Sequence, residues 1–208
     1  MSKAVLISIK PKWCELTASG KKTVEVRKTK PKLDTPFKCY IYCTKAKDFF
    51  SIGGGMYAAA DELYRLPTGE IKLGDSFELA ADWSEKYDKD NFLNGKVIGE
   101  FVCDRIDKIS VVDTDLMRYA TANDKADMFI SEKTCLDVDD LFDYLWTKRG
   151  YGWHISDLVI YDKPKDLSEF SNGSSRLEFS NTGDGFPLKL SGMKRPPQSW
   201  CYVEELSE

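Results

Sequence analysis

The sequence predicts an α+β fold built mainly from short strands, and three observations lead to it. Apolar or alternating runs of strand length recur at residues 5–9, 22–29, 37–44, 95–109, 151–163 and 199–204. Helical patterns interrupt them after Pro11 and again after Asp137, where apolar residues return at three- and four-residue spacing. Between these lie stretches rich in Gly, Pro, Ser and Asn, which read as turns and inserts. A chain of 208 residues can bury one substantial core. The expectation is one domain over residues 1–208, with insertions at about 45–94, 110–150 and 165–195.

The N-terminal stretch organises the rest. The apolar run VLISI meets Pro11, which suits the first turn of a helix because its missing N–H would have had no intrahelical partner there. Trp13, Leu16 and Thr17 follow at helical spacing, and Gly20 stands where a left-handed cap would release the chain. From Lys22 the period changes to two. Thr23, Glu25, Arg27 and Thr29 share one side of a strand, with Val24 and Val26 on the other.

Gly20, Lys22, Glu25 and Arg27 spell G-x-K-x-x-E-x-R, which resembles the signature of ASCH domains, a branch of the PUA-like β-barrels. Four such positions arise by chance in roughly one chain of this length in several hundred. The setting strengthens the resemblance, since in that family the motif follows an N-terminal strand and helix. GKVIGEF (residues 95–101) resembles a barrel strand of the family, and PPQSWCYVEE (residues 196–205) resembles the end of a longer branch from phages and bacteria. The resemblance implies a PUA-like mixed β-barrel with flanking helices and long inserts, and a role with RNA or a nucleotide-like ligand. It implies that the motif residues Gly20, Lys22, Glu25 and Arg27 line a cleft, and the charge and aromatic pattern adds Lys10 and Tyr42 to the expected binding residues.

The residues themselves allow that chemistry. Arg27 offers a planar fork for phosphate or a base edge, Lys22 a point charge, and Glu25 an acceptor that either orients Arg27 or meets an amino group. Glu25 and Arg27 can equally form a structural ion pair holding the first hairpin. The alternative is a hydrolase acting on RNA or on a modified nucleoside. In small ASCH relatives that hydrolyse N4-acetylcytidine, a lysine and a threonine of the motif carry the reaction with a glutamate. Lys22 matches that lysine, but Glu25 stands where the threonine would be, and Thr23 lies two positions away. Were the protein a ribonuclease, Lys22 would stabilise the phosphorane and Glu25 or Glu100 would act as base.

Charge is unevenly distributed. Residues 1–50 hold twelve of the 30 Lys and Arg but only four of the 34 Asp and Glu. Lys10, Lys12, Lys21, Lys22, Arg27, Lys28, Lys30 and Lys32 can face a phosphate backbone, with Trp13, Tyr40 and Tyr42 as stacking surfaces, or the lysines can simply keep strand edges solvated. The acidic remainder leaves a basic protein partner as a third class.

The other elements follow in order. Residues 37–44 place Cys39, Ile41 and Cys43 on an apolar face and Lys38, Tyr40 and Tyr42 on a polar-aromatic one. Residues 45–94 read as an insert beside the cleft, with a flexible Gly53-Gly54-Gly55 and a helix over residues 56–66. Residues 95–109 carry apolar groups on both faces, with Gly99 for a bend or bulge and Glu100 paired to a lysine or held as a second acid. Asp113 or Thr114 is expected to cap a helix through Leu116, Met117 and Tyr119. Asp137 should cap a second, whose stripe Leu141, Phe142, Leu145 and Trp146 packs on the barrel. Residues 151–163 contribute Leu158, Val159 and Ile160 to the core, and His154 as an acid–base group or an ordinary hydrogen-bonded residue. Residues 168–191 read as a long loop, and the last strand sets Trp200 and Tyr202 against Cys201 and Val203.

Six cysteines without a C-x-x-C pair, and a single histidine, disfavour a zinc site, so buried thiols, no metal and no cofactor are expected. No apolar run has the length of a bilayer span and no signal peptide is apparent, which predicts a cytoplasmic protein with no membrane partner.

Overall fold

The computed structural model describes residues 2–45, 49–53, 56–59, 62–74, 92–146, 149–172, 177–178, 189–190 and 192–206. The apolar start forms β1 (Lys3–Ile9), and Pro11 opens α1 (Pro11–Ala18) from its first position. Gly20 adopts φ +73°, and its N–H donates to the Thr17 carbonyl over 2.9 Å, so the chain turns into β2 (Val24–Arg27) as expected. β3 (Phe37–Cys43) then lies parallel to β1, not beside β2.

Two strands of 17 residues form the frame. β8 (Val97–Asp113) and β11 (Arg149–Lys165) run antiparallel along most of their length. On its other edge β8 pairs first with β3 and then, past Ile109, with β9 (Arg118–Ala122), which carries β10 (Lys125–Ala126). β14 (Trp200–Glu204) pairs with β1, and β2 pairs with β11. The result is a mostly β, mixed sheet of eight strands with few helices. The expected closed barrel is not formed among the described residues, because no ladder joins β2 to β14. Pro31 and Pro36 follow β2 and withhold two N–H donors from such a ladder. Side chains cross the gap instead: Trp200 Nε1 donates to Thr29 Oγ1 over 3.0 Å, and the Lys32 N–H donates to the Tyr202 hydroxyl over 2.6 Å.

The sheet is buried on both faces. On one, Val5, Ile7, Ile9, Cys39, Ile41, Phe101 and Trp153 pack with Cys14 of α1. On the other, Leu6, Tyr40, Tyr42, Val97 and Val203 pack with Phe170. The polar-aromatic face expected for β3 is thus a second core. A third core joins Val24, Val26, Ile109 and Val111 to two helices, α2 (Ile130–Thr134) and α3 (Val138–Leu145). Gly99 lies where the β3–β8 register slips by one; a Cβ there would stand 2.3 Å from the Val159 carbonyl, so the close approach requires glycine.

Four expectations change. The helix over residues 56–66 is replaced by β5 (Met56–Ala59), paired with β4 (Phe49–Gly53), and by β6 (Glu62–Arg65), paired with β7 (Ile71–Gly74). The turn at residues 66–70, with Gly69 at φ +87°, folds β6 back on β7, and pairing of β5 with β4 overrides the helix propensity of the alanines. The helix after Asp113 is instead the turn of the β8–β9 hairpin, where the Thr114 hydroxyl accepts from the Met117 N–H over 3.1 Å. Asp137 does cap α3, accepting from the Asp140 N–H over 2.7 Å, but Trp146 leaves the stripe and is 79 % exposed. Val159 is also exposed rather than in the core. Gly54, Gly55 and most of the 168–191 loop lie outside the described residues; β12 (Leu177–Glu178) and β13 (Lys189–Leu190) pair within it. Among the described residues no helix is long and apolar enough to cross a membrane.

Candidate functional site

Lys22, Glu25 and Arg27 meet on the sheet face that carries Trp153. Glu25 and Arg27 project there because Val24 and Val26 take the other side of β2 into the third core. Lys22 would alternate away, but β2 begins only at Val24, so the preceding turn swings its side chain under Glu25. Lys22 Nζ lies 3.4 Å from Glu25 Oε2, and Glu25 Oε1 lies 2.8 Å from Arg27 Nη2. The three side chains are only 2, 8 and 9 % exposed.

Backbone carbonyls complete this arrangement. Lys22 Nζ donates to Thr134 O over 2.6 Å, a carbonyl presented by the end of α2. Arg27 Nη2 donates to Ser8 O over 2.6 Å, and Nη1 to Ser199 Oγ over 3.4 Å. Arg27 Nε is buried and has no hydrogen-bond partner among the described residues. The centre of the Trp13 ring lies 4.9 Å from Lys12 Nζ and 5.3 Å from Lys22 Nζ. Cys14 sits beside the trio; burial pushes its thiol well up, with Cys43 and Glu25 adding to the rise and Arg27 opposing it.

The expected site residues therefore separate. Lys22, Glu25 and Arg27 come together, but they close on one another and not on solvent. Gly20 and Lys10 are exposed at the two ends of α1, where the Lys10 carbonyl accepts from Trp13 and Cys14. Tyr42 is buried in the second core, on the face opposite Cys43. The carbonyls of Ser8 and Thr134 carry no sequence signature, so their part in the site was not readable from residue types.

The other two candidates have local partners. Glu100 accepts from the Tyr161 hydroxyl and pairs with Lys38 over 3.1 Å, the lysine pairing anticipated for it. His154 Nε2 lies 2.6 Å from Asp107 Oδ2, and Arg105 lies beside both. Four of the six thiols, Cys14, Cys39, Cys43 and Cys103, are buried and free.

In class, this is a mostly β mixed-sheet protein with a buried three-charge cluster at the start of its edge strand β2. Among solved structures the chain is similar to ASCH from Zymomonas mobilis, with 17 % identity and a TM-score of 0.49 over 97 % of this chain and 88 % of that one. A mutant of the same Zymomonas mobilis protein matches at 16 % identity and a TM-score of 0.49, over 98 % of this chain and 92 % of that one. No family model and no curated protein matches the chain.

Proposed function

We propose that this is an ASCH-type domain that binds RNA or a nucleotide-like anion at the surface above Arg27. The observation that carries the reading is the charge of the buried cluster. Two cations share one carboxylate, so a net positive charge is held away from water, where its field is weakly screened. Lys10, Lys12, Lys21, Lys28, Lys30 and Lys32 are all exposed, and Lys12 meets the same Trp13 ring as Lys22, so the field of the cluster is extended at the surface. The G-x-K-x-x-E-x-R motif supports the family reading independently.

Burial changes what the motif residues do. Arg27 and Lys22 act through charge and by shaping the surface, and the exposed lysines meet the phosphates. Hydrolysis would require Lys22 to reach a substrate, whereas its ammonium group is already engaged by Thr134 and Glu25.

The test is binding of a labelled RNA as a function of salt. Affinity should fall linearly on a log–log scale as phosphate contacts release counterions. Arg27→Ala should weaken binding, and Arg27→Lys should retain more of it, with circular dichroism establishing that each variant is folded. Unchanged affinity in folded Arg27→Ala would remove Arg27 from the site. Turnover of RNA or of N4-acetylcytidine, lost in Lys22→Ala, would replace the binding reading with an enzymatic one.

A further inference from the structure

The aromatic residues first expected to stack on bases do not face solvent together. Tyr40 and Tyr42 are buried in the second core, and Trp13 is partly buried against the first. Two other rings do face solvent, one of them beside a cation. Tyr144 and Trp146 flank Leu145 at the C-terminal end of α3, and both are exposed.

Leu145 fixes where they stand. It is fully buried against Gly150, so tightly that a Cβ on Gly150 would fall 2.4 Å from Leu145 Cδ2 and 3.0 Å from the Arg27 carbonyl. The end of α3 is thus seated on the last residues of β2. Lys28 Nζ lies 5.5 Å from the centre of the Tyr144 ring, and Lys30 Nζ lies 5.6 Å from that of Tyr151. Burial pushes the Tyr144 hydroxyl above its ordinary pKa, while Arg27 lowers it and Glu25 raises it, so the ring also senses the buried cluster. Arg149 is exposed two residues before Tyr151, which pairs with Arg27. Trp146 itself has φ +49°, a conformation that a bulky residue rarely adopts, and most of it is exposed.

Exposed rings interleaved with cations suit one ligand chemistry in particular. A single-stranded nucleic acid offers unpaired base faces to the rings and phosphates to the cations, while a duplex hides its base faces within the stack. The acids of α3 do not oppose this arrangement as a group. Asp139 and Asp140 lie in its first turn, and Asp139 is paired with Arg118 at 2.7 Å; Asp143 is the acid nearest the rings in sequence.

We infer that Trp146 and Tyr144 form a base-stacking platform for single-stranded nucleic acid, with Lys28 and Lys30, just past the end of β2, holding its phosphates. This rests on the binding function proposed above and adds its substrate class and stacking residues. Neither ring belongs to the motif.

The experiment compares three labelled probes on the full chain: a 12-mer oligouridylate, an abasic ribose-phosphate 12-mer and a 12-base-pair RNA duplex. The single strand should bind more tightly than the duplex. Trp146→Ala and Tyr144→Ala should each weaken oligouridylate binding roughly ten- to a hundredfold and leave abasic binding unchanged. Lys28→Glu should weaken both oligouridylate and abasic binding. Both substitutions of the rings are at exposed positions, and thermal unfolding verifies that the fold persists. If both ring variants bind oligouridylate like the parent while Arg27→Ala weakens it, the platform is wrong and the binding function stands. If the parent binds none of the probes, both fail. A dimer that Trp146→Ala splits without loss of oligouridylate affinity also overturns the inference, since the rings would then serve a second copy of the chain.

Discussion

Lys22, Glu25 and Arg27 form a three-charge cluster, and so do Lys38, Glu100 and Glu205 on the opposite face of the sheet. The first has one carboxylate between two cations, and the second has one ammonium between two carboxylates, at 3.1 and 3.3 Å. They differ in cover. The side chains of the second cluster are 24, 23 and 31 % exposed, so water reaches each of its members. The same kind of contact therefore does different work in the two places. In the accessible cluster the excess charge is solvated and the pairing contributes little. In the buried one, pairing offsets most of a large desolvation cost, and the unneutralised remainder is a standing field available to an anion.

The two clusters differ most in what each would lose with its central charge, and Glu25 is the centre of the buried one. Glu25→Gln keeps the size of the side chain but leaves two buried cations without an anion, a change expected to cost about 3–5 kcal/mol of unfolding free energy. Urea unfolding of the variant against the parent measures it. A loss under about 1 kcal/mol would mean that the cluster is solvated after all, and the difference between the two faces would vanish.

Asp107 lies between the two clusters in exposure. Asp107 accepts from Asn123 Nδ2 over 2.8 Å and is held by His154 and Arg105; its side chain is 13 % exposed and that of Arg105 62 %. Burial pushes the Asp107 carboxyl up, but the hydrogen bonds from Asn123 and His154 and the charge of Arg105 outweigh it and hold the pKa below the usual value. A carboxyl whose pKa is depressed on folding contributes stability at pH values above its unfolded pKa, near 4, and loses that contribution as the pH falls through the folded value. Asp107→Asn should therefore cost about 1–3 kcal/mol at pH 7. Its stability should also fall less steeply than the parent's below about pH 4. Parallel pH profiles for the two proteins would remove Asp107 from the acid response.

How much of this was legible depended on whether the determinant was local. Pro11 and Gly20 act through their own backbone, and Asp137 through a side chain that reaches only three residues along; each marked its element boundary correctly. The alternation of Glu25 and Arg27 against Val24 and Val26 also placed the pair on one face. What covers that face was not legible, because Thr134 lies 112 residues from Lys22 and contributes only a carbonyl. Tyr40 and Tyr42 were misplaced for a related reason. Their alternation was read correctly, but Phe170 and Met193, which close the second core over them, come from the far end of the chain. The alanine-rich run after Gly55 had helix propensity and no tertiary cue, and pairing with β4 decided it.

The smallest expected effect lies at Lys38, and it tests the accessible end of the comparison. Burial lowers the Lys38 pKa, but the hydrogen bond and charge of Glu100 and the hydrogen bond of Glu205 more than reverse this and hold the ammonium above its ordinary 10.5. A lysine whose pKa is raised on folding stabilises the protein below its unfolded pKa and loses that contribution as the pH rises through the folded value. Lys38→Met should thus cost less than about 1 kcal/mol at pH 7, because Glu100 keeps its hydrogen bond from Tyr161 and Glu205 keeps one from Ser2. The gap between parent and variant in urea unfolding should narrow further as the pH passes 10.5. A loss as large as that of Glu25→Gln would show that exposure does not separate the two clusters, and the field attributed to Lys22 and Arg27 would lose its physical basis.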